Sequence, residues 1–162
     1  MIGGVFSSAL VAFFGQNYGA GKQERIKRGV KISYLAMTVW GGFVTLFFFT
    51  LGPWFFRVLL PDPSLAHLGR AYLYILAFCQ LSMNLEAVGA GAFKGTGRTI
   101  PPSLASVFSN AAKPLLAWFL SRTSLGIYGV WIGVCICDFI RGIWICSWYT
   151  LSEKKSRSKN RD

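Results

Sequence analysis

Six polar side chains stand out because of the apolar sequence around them. Gln80, Asn84 and Glu86 fall within the run from Ala71 to Phe93, Lys113 within Thr99 to Ser121, and Asp138 and Arg141 within Ile127 to Leu151. A charge in hydrocarbon costs about 2.5–3.5 kcal/mol on insertion scales unless it pairs or reaches the interface, so each such residue is functional or structurally matched. Glu86 can attract or couple to a cation, with Asn84 and Gln80 near it in sequence. Its alternative role is a hydrogen bond to loop backbone. Asp138 and Arg141 are three apart, on one helix face, and read as a neutralising pair. Lys113 precedes Pro114, whose missing N–H frees a carbonyl one turn earlier that the ammonium can contact. Glu86, Asn84 and Gln80 are therefore the ion-coupling or substrate candidates, and Lys113, Asp138 and Arg141 the structural intramembrane charges.

Other chemistry lacks its parts. The glycines from Gly15 to Lys22 resemble a phosphate loop, but Gly15 is one position too early and Gln23 replaces the required Ser or Thr. Glu24 stands where a dinucleotide fingerprint after Gly19 and Gly21 needs glycine. His67 sits in a polar connection beside Asp62 and Pro63, with no acid or nucleophile at catalytic spacing, and reads as an exposed loop histidine. Cys135 and Cys137, two apart, point to different helix faces and cannot share a metal. With Cys79 and Cys146 they read as small buried side chains, without a disulfide framework. No catalytic residue, cofactor or metal ligand is expected.

The elements that hold these residues are set by composition. Hydrophobic residues make up 53% of the 162-residue chain and charged residues 14%, well below the roughly 25% charged usual in soluble domains. The apolar residues form long blocks without strand or one-sided helical periodicity, as expected of helices apolar all round. Residues 32–56 contain no charge before Arg57 and, at about 1.5 Å per residue, more than cover the roughly 30 Å hydrocarbon core. The same reasoning gives an all-α integral membrane protein with about five spans, at 1–14, 32–56, 71–93, 99–121 and 127–151, and a basic tail at 152–162. The first is short and reads as the end of a helix whose beginning is missing. A signal peptide is disfavoured because the basic cluster follows the apolar stretch instead of preceding it.

The net charge of +11 does not mark a nucleic-acid surface, because the basic residues alternate with the spans. Lys22, Arg25, Lys27, Arg28 and Lys31 follow the first span, Lys94 and Arg98 the third, and Lys154, Lys155, Arg157, Lys159 and Arg161 the fifth. The intervening connections hold only Arg57, Arg70 and Arg122. The positive-inside rule makes the rich side, including the carboxy terminus, cytoplasmic. Gln23 to Lys31 then reads as a short segment on the anionic leaflet. Glycines in Gly15 to Lys22 can end a helix in the left-handed conformation. Pro61 to Pro63 stops the second span, with Asp62 placed to cap the third. Gly89, Gly91, Gly95 and Gly97 offer close helix approach.

At these residues the sequence resembles the multidrug and toxin extrusion (MATE) family. Gly15 to Lys22 (GQNYGAGK) with Arg25 looks like the signature after the second helix of each lobe. Glu86 to Thr99 (EAVGAGAFKGTGRT) is similar to the end of the tenth helix and its loop. Lys113-Pro114 and Gly126 to Trp131 (GIYGVW) follow in family order.

The resemblance implies a fold of two six-helix lobes around a central cavity, this chain supplying helices eight to twelve. It also implies export of small cationic or amphipathic compounds in exchange for H+ or Na+. The missing amino-terminal half would be a partner, together with membrane lipid, in the cell membrane. In one branch of the family the acidic residue falls at the position of Met83, not Glu86. Two other readings are a lipid-linked sugar flippase, which would show more cavity-facing basic residues than Lys113 and Arg141, and a small membrane interaction protein or nonfunctional remnant. A chain beginning partway through a lobe would leave Gly3, Gly4, Gly41 and Gly42 facing lipid.

Overall fold

The computed structural model describes residues 2–59 and 63–159, excepting the side chains at 2–3, 56–57, 59, 63–66 and 153–159. The described residues form six helices: α1 (Ile2–Gly19), α2 (Gln23–Thr50), α3 (Gly52–Leu59), α4 (Pro63–Gly95), α5 (Ile100–Ser121) and α6 (Ile127–Lys159). By length and composition, α2, α4 over His67–Gly95 and α6 over Ile127–Ser152 are long and apolar enough to cross a membrane. Their outer faces are apolar to match: Ile32, Leu35, Val39, Phe43 and Leu46 form an exposed stripe on α2, a surface that water does not favour but acyl chains do. This is an all-helical, multi-pass membrane protein.

Two helix ends are built alike. After α1, Gly21 takes φ +69°, its N–H bonds Tyr18 O at 3.0 Å, and Lys22 N–H reaches back to Asn17 O at 2.9 Å. After α4, Gly97 takes φ +77°, its N–H bonds Lys94 O at 3.1 Å, and Arg98 N–H reaches Phe93 O at 2.9 Å. Both are Schellman closures, in which only glycine enters the left-handed region without penalty. Each is followed at once by a basic residue. The segment from Gln23 to Lys31 is continuous with α2 and forms its first turns.

The apolar stretch 32–56 is not one helix. α2 stops at Thr50 and α3 begins at Gly52, because Pro53 has no N–H to offer and its ring opposes a helical carbonyl one turn back. The third expected span lies in α4, which begins at Pro63; its expected cap, Asp62, lies outside the described residues. His67 is not in a loop: it lies in α4, exposed, with Nδ1 3.5 Å from Tyr128 Oη.

Residue pairings fix the helix directions. Gly91 lies against Ser7 and Leu10, and Gly95 against Val11, Phe14 and Gly15, so α1 and α4 run parallel. Gly41 meets Asn84 and Leu81, and Thr45 Oγ1 donates to Ala77 O at 3.0 Å, so α2 runs the other way. Gly89 meets Ile145 and Tyr72 meets Trp131, making α6 parallel to α4. Gly129 meets Leu120 and Gly133 meets Ala117, making α5 antiparallel to α6. The ends of α1 and α4, carrying Lys22 and Arg98, consequently share a side with the carboxy-terminal end of α6.

Glycine sets the closeness of these contacts. A Cβ at Gly95 would stand 2.6 Å from Phe14 Cβ and 2.9 Å from Val11 O. The expectation of close approach along the end of this helix holds for Gly89, Gly91 and Gly95, while Gly97 serves the turn. Gly41 does not face lipid: its Cβ position is 3.0 Å from Asn84 Nδ2. Beside these contacts Phe14, Ile26, Val30, Val88, Phe93, Ile145 and Tyr149 form the buried core, gathered from α1, α2, α4 and α6.

Candidate functional site

α6 approaches α4 closely at Gly142, where a Cβ would meet Ser82 O at 2.9 Å. That proximity carries the neighbouring Arg141 across to Glu86. Its Nε and Nη2 lie 3.0 and 2.8 Å from Glu86 Oε2. One turn earlier on α6, Asp138 Oδ1 is 3.0 Å from Arg141 Nη2 and 2.7 Å from Lys113 Nζ on α5. The result is a chain of four charges, Glu86, Arg141, Asp138 and Lys113, tying α4 to α6 and α6 to α5.

The chain is neutral as a whole and mostly withdrawn from solvent. The side chains of Asp138, Arg141 and Glu86 are 9%, 14% and 14% exposed, and that of Lys113 24%. Charges so placed in an apolar bundle must be matched, and these are. The matches differ in kind. Arg141 donates a directed hydrogen bond to Glu86, whereas Asp138 Oδ1 holds two cations at ion-pair distance without hydrogen-bond alignment to either. Lys113 spans to Asp138, and no contact with a carbonyl freed by Pro114 is found among the described residues.

Glu86, Asn84 and Gln80 do not form one cluster. Asn84 is 2% exposed and faces α2, its Nδ2 lying against Gly41 without a hydrogen-bond partner among the described residues. Glu86 faces α6. Two residues on a helix are about 200° apart, so the separation follows from spacing alone. Gln80, half-buried, lies one turn before Asn84 on nearly the same side.

Two cysteines are joined against expectation. Cys79 of α4 and Cys135 of α6 form a disulfide, their Cα atoms 5.7 Å apart, within the range such a bond requires. Cys137 and Cys146 remain free. The pair is 56 residues apart in sequence, and only the parallel packing of α4 on α6 brings it together.

Among the described residues, then, is a multi-pass membrane bundle with a neutral, buried ion-pair chain across three helices. The profile of the MatE family matches residues 1–119, and the chain belongs to that family. It is 24% identical over 136 residues to a protein of Thermotoga maritima described as probable multidrug resistance protein NorM, an alignment covering 83% of this chain and 29% of that relative. The chain thus spans less than a third of the relative's length. No solved structure matches it at comparable significance.

Proposed function

We propose that this chain works within a secondary antiporter that exports organic cations and other amphipathic compounds in exchange for H+ or Na+. Further helices beyond those of this chain would complete the cavity and permit alternating access. Its place is the cell membrane, with the basic ends of α1 and α4 and the carboxy terminus on the cytoplasmic side. The observation that carries this reading is the buried ion-pair chain. A carboxylate at Glu86, held by Arg141 in an otherwise uncharged span, is a group whose charge can be exchanged only by bringing another cation to it. The gradient supplies the driving force, and no organic cofactor enters.

The flippase reading gains no support from the same geometry. It requires cations available to an anionic headgroup, yet Lys113 and Arg141 are each held by carboxylates.

Replacing Glu86 by Gln in the complete transporter tests the proposal, since the amide keeps shape and hydrogen bonding but loses the charge. Ion-driven efflux of ethidium from everted vesicles is expected to be lost, with insertion and expression unchanged. Efflux that persists across a range of pH and sodium concentration would reduce Glu86 to a structural residue.

A further inference from the structure

Asp138 has a second neighbourhood besides its two cations. A groove of about 460 Å³ runs between α4 and α6, and Asp138 lines it together with Tyr72, Leu76, Met83, Trp131 and Val134. Tyr72 and Trp131 pack with ring centroids 5.1 Å apart at its wall. Asp138 itself is 6% exposed, and its Oδ1 makes no aligned hydrogen bond among the described residues. An apolar cleft with aromatic walls and one buried carboxylate is the recognition chemistry of a hydrophobic monovalent cation.

The carboxylate already holds such a cation in Lys113 Nζ, at 2.7 Å. Lys113 reaches it from another helix, at the end of a flexible four-carbon stem, and is the most exposed member of the chain of charges. Arg141, by contrast, is fixed by its hydrogen bond to Glu86. Of the two cations on Asp138, Lys113 is the one that can leave without breaking a second contact, its head withdrawing toward the interface.

We propose that the groove between α4 and α6 is a binding subsite for a hydrophobic organic cation, and that Lys113 is a tethered competitor for Asp138 which the ligand displaces. The choice of ligand class rests on the transport reading above. Exchange of one cation for another at Asp138 keeps the local charge balanced throughout, so the site never presents an unmatched carboxylate to hydrocarbon. Lys113 then sets affinity by competition, and its loss strengthens binding. A purely structural ion pair has the opposite signature, since removing either partner would weaken the site.

The test is equilibrium binding of radiolabelled tetraphenylphosphonium to the full chain in lipid nanodiscs, with neutral triphenylphosphine oxide as competitor control. Lys113→Met is expected to bind at least tenfold more tightly than the unaltered chain, and Asp138→Asn at least tenfold more weakly. The double variant Lys113→Met/Asp138→Asn removes the pair together, leaves no orphan charge and so guards against misfolding; it is expected to bind as poorly as Asp138→Asn. Binding that is unchanged or weaker in Lys113→Met, binding in the double variant equal to that of the unaltered chain, or equal competition by the neutral compound would each overturn the proposal. Because the readout is binding, it is separate from the efflux test at Glu86: loss of coupling there with no tightening here discards the subsite alone.

Discussion

Removing Arg141 is the sharpest perturbation of the ion-pair chain, because it is the member that touches both carboxylates. Arg141→Met keeps an unbranched apolar stem but removes the guanidinium, and with it two contacts with Glu86 and one with Asp138. Two carboxylates then face one cation, and Lys113 reaches only Asp138, which strands Glu86. Breaking a buried pair in soluble proteins costs about 3–5 kcal/mol. Interhelical polar contacts in membranes average only about 0.6 kcal/mol and reach about 1.7, because separated helices find other partners in the bilayer. A stranded carboxylate can also take up a proton, which caps its cost. Between these bounds the expected loss is about 3 kcal/mol, roughly 150-fold in the folded-to-unfolded ratio. Glu86→Gln made together with Arg141→Met removes the stranded charge and is expected to recover about 1–2 kcal/mol. Reversible unfolding in mixed SDS micelles, followed by tryptophan fluorescence, measures both. If Arg141→Met stays within about 0.5 kcal/mol of the unaltered chain, or the double variant is no more stable than the single, the bridge is not a matched buried pair and the reasoning fails.

Other outcomes follow from the packing. Gly95→Ala places a methyl group against Phe14 Cβ and the carbonyl of Val11 and is expected to cost about 1–3 kcal/mol, whereas Gly42→Ala meets nothing within 4 Å and should be neutral or stabilising; detergent thermostability separates them. Mass spectrometry of the denatured, unreduced chain after maleimide treatment should show two adducts, at Cys137 and Cys146, and four after reduction; four without reduction would remove the Cys79–Cys135 bond. In a cysteine-free background, Gln23→Cys should resist an impermeant thiol reagent on intact cells while Thr123→Cys, at the opposite end of the bundle, reacts; the reverse pattern would invert the topology.

Much of the bundle was legible because a bilayer simplifies the code. Charge deficit, block length and the alternation of basic connections depend on local sequence alone, and so did the glycine turn at Gly21, whereas Gly97, expected to serve close helix approach, forms a second turn of the same kind. The division at Thr50 was equally local, in Gly52-Pro53, but an uncharged stretch of sufficient length concealed it. The separation of Asn84 from Glu86 was a matter of counting helical degrees. What spacing could not supply was partnership between helices. Lys113 finds Asp138, Glu86 finds Arg141 and Cys79 finds Cys135 only once α4, α5 and α6 are placed side by side, and no periodicity within one helix encodes that register.

α4 touches every other helix of the described chain. Its faces are assigned in rotation: Asn84 toward α2, Glu86 toward α6, and Gly91 and Gly95 toward α1. One extra residue near its middle would turn everything beyond it by about 100° and advance it by about 1.5 Å. The glycines would leave α1, the carboxylate would leave Arg141, and side chains would enter clefts cut for none. The same insertion early in α5, whose main neighbour is α6, disturbs one seam. In such a bundle the tolerance of each helix for insertion and deletion is set by how many partners read its rotation, and α4 is the axle on which the others keep their phase.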